Sequence, residues 1–223
     1  YPFANHQRHM HSYEIMQLIK GLKEHSTNMN EIEAYFNQFT WTPEPENGSP
    51  PCEVVWKRAG LLQLRGQRFY VGDSWNIGVD CVDVPATPGE YEATVECFSY
   101  GTDGRIARLR LLLNNAAPTR SVIVGEFGVD VASAGVIDAD ALDAWADREP
   151  DDYESWMDEF TTSRLENYEM VGFFPCEEAD TQMLHCSTGF GDGSYTVLSL
   201  LEGEKPVGFE AVFLKPGQGY FED

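Results

Sequence analysis

Aspartates beside glycines are the residues of this chain best suited to chemistry. Asp192 sits in Gly191-Asp192-Gly193, the tightest turn in the sequence, where glycine supplies positive φ and the aspartate can bond its own backbone. A carboxylate presented by such a turn can take a proton as a general base or ligate a metal ion. Asp138, Asp140 and Asp143 match the opening of a calcium loop. The obligatory glycine and terminal glutamate are missing at the required offsets, so Asp138 reads as a helix cap. His185 stands next to Cys186. Adjacent strand residues point to opposite faces, so these two do not form a nucleophile–base pair, and His185 reads as a core or edge histidine. His6, His9 and His11 belong to a polar tail rather than a metal site. The chain carries no Ser-His-Asp order, Walker loop, zinc signature or Rossmann fingerprint. Gly189-Phe190-Gly191 leads into a strand, so it offers phosphate no helix N-terminus.

Charge narrows the function classes. The 223 residues include 37 acidic and 15 basic side chains, a formal net charge of −22. Such a chain repels phosphate backbones, which disfavours nucleic-acid partners. It reads either as a solvated acidic surface or as a face that docks a basic protein. Five cysteines (Cys52, Cys81, Cys97, Cys176 and Cys186) show no Cys-x-x-Cys pair. Their odd number and irregular spacing speak against a disulfide framework or structural zinc and for buried free thiols in a reducing cytoplasm. No apolar run is long enough to span a membrane and no signal-like segment opens the chain, so the expectation is a cytoplasmic protein without a membrane partner.

The elements that must position these residues are mostly strands. Residues 88–113 and 191–214 repeat one pattern: a Gly- and Tyr-led strand, a polar turn and a second strand, which is how a β-hairpin reads. Two such hairpins predict a body in which they cover each other's apolar faces. Glycines at 60, 66, 72 and 78 punctuate short strand-like runs at 53–57, 60–65, 67–72 and 74–79, with Trp56, Phe69, Tyr70 and Trp75 packing in the sheet. Residues 121–126 and 129–137 read as strands hinged near Gly128, and 170–175 and 183–187 as two more. Arg105, Arg108 and Arg110 interleave with apolar residues along one strand, where cross-strand pairing with Glu92, Glu96 or a neighbouring carboxylate is expected.

Helices flank this body. Apolar positions at i, i+3, i+4 and i+7 predict helices over 12–25 and 30–39, and two more within 139–167, separated at Pro150. The predicted class is α+β, mainly β: antiparallel hairpins in two packed sheets, with N-terminal helices and a helical insertion. The organisation is an N-terminal helical segment (1–41), a Pro-rich linker (42–51), a β-rich domain (52–215) with its insertion at 139–167, and a tail (216–223).

Five short motifs carry a family resemblance. They are Pro88-Gly89-Glu90-Tyr91, Arg105-Ile106-Ala107-Arg108, Gly128-Val129-Asp130, Gly135-Val136-Ile137-Asp138 and Gly189-Phe190-Gly191-Asp192-Gly193-Ser194-Tyr195. In order and spacing, over about residues 75–215, they resemble the bacterial domain of unknown function 4241 family. The resemblance implies a β-rich bacterial domain and no particular reaction. Should that family have a site, Asp130, Asp138 and Asp192 are the candidates, because three carboxylates near glycine turns can converge and perturb one another's pKa.

Three functional readings follow. The first is a non-enzymatic acidic interaction protein of the immunity type, occluding a basic, toxin-like partner and needing no cofactor or metal. The second is a hydrolase or metal-dependent enzyme built on Asp130, Asp138 and Asp192. The third is a self-associating module that dimerises through the N-terminal helices.

Overall fold

The computed structural model describes residues 51–100, 103–166 and 169–214; the helices expected over 12–25 and 30–39, the linker and the tail lie outside these. Eleven strands and two helices follow in the order β1 (Pro51–Leu64), β2 (Arg68–Asp73), β3 (Val82–Pro85), β4 (Gly89–Tyr100), β5 (Asp103–Leu113), β6 (Arg120–Val129), β7 (Ser133–Asp138), α1 (Ala139–Ala146), α2 (Pro150–Glu166), β8 (Val171–Cys176), β9 (Thr181–Ser187), β10 (Gly193–Glu202) and β11 (Lys205–Val212). They build two antiparallel sheets, one of six strands in the order β1-β4-β5-β11-β10-β6 and one of five in the order β3-β2-β7-β9-β8. The expected mainly-β class with two sheets is the observed one.

Both repeats are hairpins, β4–β5 and β10–β11. They do not cover each other. β5 pairs directly with β11, from Gly208 opposite Leu112 to Val212 opposite Arg108, so the two hairpins lie side by side in one sheet. The opposing layer comes from the strands between the repeats. Phe69 of β2 meets Tyr91 of β4 edge-on at 5.0 Å and Phe209 of β11 at 5.6 Å across that core. Sequence similarity between hairpins specifies each hairpin, whereas the partner sheet is chosen by whichever strands can bury the shared apolar face.

The duplicated tyrosine has one job in both copies. Tyr91 OH donates to the Thr87 carbonyl, and Tyr195 OH donates to the Gly191 carbonyl, each four residues upstream. Each tyrosine thus pins the chain entering its own hairpin while its ring fills the core.

Bulges explain where the expected strands and the observed ones differ. Runs 53–57 and 60–65 are a single strand, because an extra residue between Arg58 and Gly60 shifts the β1–β4 register without ending the ladder. A side chain at Gly60 would collide with the Phe173 ring, 2.6 Å from its Cε2, so the two sheets can approach there only over glycine. In β5 the register slips between Cys97–Ile106 and Glu96–Arg108, which lets Ile106 and Leu109, three residues apart, both face inward. Residues 74–79 form turns, not a strand: Asp73 Oδ1 accepts from Trp75 N at 2.8 Å and its carbonyl from Asn76 N at 3.1 Å. The hinge after β6 falls at 130–132, where Ala132 takes φ of 54°, while Gly128 stays paired with Ser194 inside the strand.

The helices form a third layer on the far face of the five-stranded sheet. Leu142 and Trp145 of α1 and Trp156 and Phe160 of α2 pack with Ile77, Ile137 and Met183 in a second core. Trp156 Nε1 anchors α2 by donating to the Pro175 carbonyl at 2.7 Å. Pro150 is the first residue of α2, a position whose missing N–H costs the helix nothing. None of the described helices is long and apolar enough to cross a membrane.

Candidate functional site

Two of the three candidate aspartates come together and the third does not. Asp130 follows β6, and Asp192 precedes β10, at the same corner of the sandwich, where Gly193 pairs with Val129. Asp192 Oδ1 accepts from Ala132 N at 3.0 Å, bridging the two turns. Between them lies a carboxylate that the sequence reading passed over. Asp73 is 7 % exposed, and its Oδ2 accepts from Asp130 N at 2.8 Å. Burial raises the Asp73 pKa, and the charges of Asp130 and Asp192 raise it further. The signal for Asp73 was its place in Gly72-Asp73-Ser74, in the gap between the strand-like runs 67–72 and 74–79, a turn-forming context to which no role was given.

Asp138 stands at the opposite end of β7, five residues beyond Ser133 and so roughly 17 Å from that corner. Its role is local. Oδ1 accepts from Ala141 N at 3.2 Å, which caps α1, and Oδ2 accepts from Arg65 N at 2.8 Å and Gly66 N at 2.9 Å in the β1–β2 turn. Asp140 Oδ2 takes Gln67 N at 2.6 Å from the same turn, and that bond is the main reason its carboxyl pKa falls below the ordinary value. A methyl group on Gly66 would fall 2.6 Å from Asp138 Oδ1, so the glycine is what lets the turn enter this cradle.

Arg68 neutralises the remaining charge around α1. Its guanidinium donates to Asp140 Oδ1 at 2.7 Å and Asp83 Oδ1 at 2.8 Å, contacts Asp143 Oδ2, and lies over the Tyr70 ring at 5.2 Å. The Asp138–Asp140–Asp143 series is therefore a clamp joining the β1–β2 turn and β2 to α1. Among the described residues no group of three His, Cys, Asp or Glu side chains is arranged to hold a metal ion.

The basic stripe of β5 is consumed by pairing, with Glu210 as the main partner. Glu210 is 5 % exposed and binds Arg108 Nη1 at 2.8 Å and Arg110 Nε at 2.6 Å. Arg108 also reaches Glu96 at 3.2 Å. Arg110 stacks over Trp56 at 4.3 Å, and Arg105 lies over Phe190 at 5.6 Å. Glu92 pairs with Arg58 on the next strand at 2.9 Å.

The described thiols are free and unsuited to nucleophilic chemistry. Burial pushes Cys97 up to about 12 and Cys81 and Cys176 up to about 11, and raises Cys186 as well. Cys186 lies in the core between the sheets.

The helical layer carries the densest run of uncompensated carboxylates among the described residues. Asp147, Glu149, Asp151, Asp152, Glu154, Asp158 and Glu159 are all exposed along α2 and the turn before it. None of the seven is ion-paired among the described residues. Arg148 is the one exposed base in this stretch, since Arg164 is buried. Asp151 and Asp152 occupy the first turn of α2, where they favour its dipole, and the others have no such local reason.

Comparison with protein-family models, with curated proteins and with solved structures gave no match to this chain.

Proposed function

We propose that the protein is a non-enzymatic interaction protein that binds a basic partner through the acidic face of α2 and the turn preceding it. The observation that carries this reading is the set of seven exposed carboxylates without ion pairs on one helical layer, in a molecule whose other described charge clusters around Arg68, Arg108 and Arg110 are internally paired. Like charges held on one rigid face raise the local potential and steer an oppositely charged partner into encounter. The helices are anchored from beneath by Trp145, Trp156 and Phe160, so the face is presented as a unit. Occlusion of a basic cleft in a toxin-like protein is the mode of action that such a face serves, in the manner of immunity proteins. The motif resemblance to a bacterial family agrees with that setting.

The hydrolytic alternative draws less support. Asp138 is committed to three backbone N–H groups at the far end of β7, and Asp73 spends both oxygens on Trp75 N and Asp130 N.

The test is affinity capture on the immobilised 223-residue chain from an extract of its source cells, with salt elution. It is run beside a variant carrying Asp151→Lys, Asp152→Lys, Asp158→Lys and Glu159→Lys. The expected result is a basic protein retained by the parent chain, released by salt and lost on the variant. Equal retention by both chains would refute the reading, as would the absence of any retained basic protein.

A further inference from the structure

The helical layer rests on the one histidine of the described residues. The other four histidines of the chain lie within residues 1–25. His185 projects from β9 away from the inter-sheet core and under α2, where its ring lies 5.5 Å from Phe160; it is 4 % exposed. Its cross-strand partners are Gly135 on β7 and Gly172 on β8, so no side chain flanks it on either strand. A methyl group on Gly172 would sit 2.6 Å from His185 Nε2, which shows how closely the ring fills the space that glycine leaves. Its Nδ1 is buried without a hydrogen-bond partner.

The charged groups around the ring come from α2 and from the segment after it. Arg164 of α2 is buried, and its Nη1 donates to the Glu169 carbonyl at 2.5 Å. The Glu169 carboxylate closes on the Nε2 end of the ring: a methyl group on Gly172 would collide with its Oε2 as well as with His185 Nε2. Directly beside the ring β7 and β8 present Gly135 and Gly172, and the other residues they turn to this face, Ser133, Ile137 and Phe174, carry no charge. Burial holds the His185 pKa well below its ordinary value, and the Arg164 charge lowers it further. The Glu169 carboxylate favours the imidazolium at the Nε2 end; burial, the Arg164 charge and the absence of an acceptor at Nδ1 oppose it.

We propose that His185 is an acid-sensitive latch: protonation of its buried ring releases the C-terminal half of α2 from the five-stranded sheet. A proton taken from solvent turns the imidazole into a cation with two N–H donors, one of them facing no acceptor, beside a buried guanidinium. The ring accepts that proton only once α2 has lifted. With the reading of α2 as the docking face, on which this last step rests, mild acid disperses that face and dissociates the partner.

The sign is fixed by linkage. Above the ordinary histidine pKa of 6.5 the closed and open forms are both neutral, and pH does nothing. Below it the open form binds a proton that the closed form refuses, so the open-to-closed ratio rises about tenfold per pH unit until the depressed closed-state pKa is reached.

The experiment is hydrogen exchange on the full chain without any partner, from pH 7.5 to 5.0, normalised for intrinsic exchange. Protection of α2 from Trp156 to Glu166 is expected to fall about tenfold per unit below pH 6.5. In His185→Gln it is expected to be flat. Should that variant fail to fold, the ring resonance of His185 in the parent chain supplies the readout, and it is expected to stay neutral until α2 protection is lost. The latch is overturned by constant α2 protection across this range, by the same slope in His185→Gln, or by a ring titrating at its ordinary pKa while α2 stays protected. Because no partner is present, these outcomes bear on the latch alone. Failed capture with a working latch would sink only the docking reading.

Discussion

Replacing Asp138 with alanine separates a structural from a catalytic carboxylate. Asp138 is 1 % exposed and accepts three backbone N–H groups, from Arg65, Gly66 and Ala141. Loss of an N-cap acceptor costs about 1 kcal/mol. Each of the two turn N–H groups, part-buried, loses a charge-assisted acceptor worth about 1 kcal/mol more. The sum is about 3 kcal/mol, and with a urea slope of about 2 kcal/mol per M the midpoint moves down by about 1.5 M. The assay is equilibrium urea unfolding followed by tryptophan fluorescence, since Trp145 and Trp156 sit in the layer that α1 initiates. Asp138→Asn keeps one acceptor oxygen and is expected to lose about half as much. Asp130 offers its neighbour only a backbone N–H, so Asp130→Ala is expected to change stability by less than about 0.5 kcal/mol. Asp192→Ala loses one exposed bond to Ala132 N and is expected to cost less than about 1 kcal/mol. The reasoning is refuted if Asp138→Ala shifts the midpoint by less than about 0.5 M, or if Asp130→Ala destabilises as much.

Substitutions at four further positions probe the sheet. A methyl group on Gly208 collides with the carbonyl oxygen of Leu111, a backbone atom of the strand beside it, so Gly208→Ala is expected to cost more than about 3 kcal/mol or to abolish soluble expression; a midpoint within experimental error of the parent's contradicts the β5–β11 pairing. Tyr91→Phe and Tyr195→Phe each remove one hydroxyl bond to a carbonyl four residues upstream, and are expected to lose about 1 kcal/mol apiece and additively, as read from single and double variants in urea. Glu210→Ala removes the buried carboxylate shared by Arg108 and Arg110, leaving Arg108 with Glu96 alone and Arg110 with the Trp56 ring, and is expected to cost about 2 kcal/mol, with Glu210→Gln costing less; thermal unfolding that leaves Glu210→Ala unchanged would count against that network.

Local chemistry was legible where one residue and its chain neighbours settle the matter. Asp138 caps its helix as read, Pro150 lies at the junction of the two helices, and the paired hairpins begin at their Gly-Tyr segments. The arginine stripe is paired as anticipated, although its principal partner, Glu210, comes from the other repeat about a hundred residues away. Asp73 was not legible, because a carboxylate that folds back on its own turn has the same sequence signature as a polar strand end.

Sequence alone determined the two repeat hairpins, the two helices after Asp138, the capping of α1 and the large negative charge, because each depends on residues a few positions apart or on simple composition, whereas β3 and the turns at 74–79 carried no such local signal. Tertiary structure alone decided that the two hairpins share a sheet, that Asp130 and Asp192 meet around Asp73 while Asp138 lies at the other end of β7, and that seven acids between Asp147 and Glu159 are left exposed without ion pairs. The physical reason is that a strand's alternation says which residues turn inward but not which strand lies alongside it. That choice is made by burial of the whole apolar face at once, with the bulges at Ala59 and Ala107 resetting the phase from one neighbour to the next.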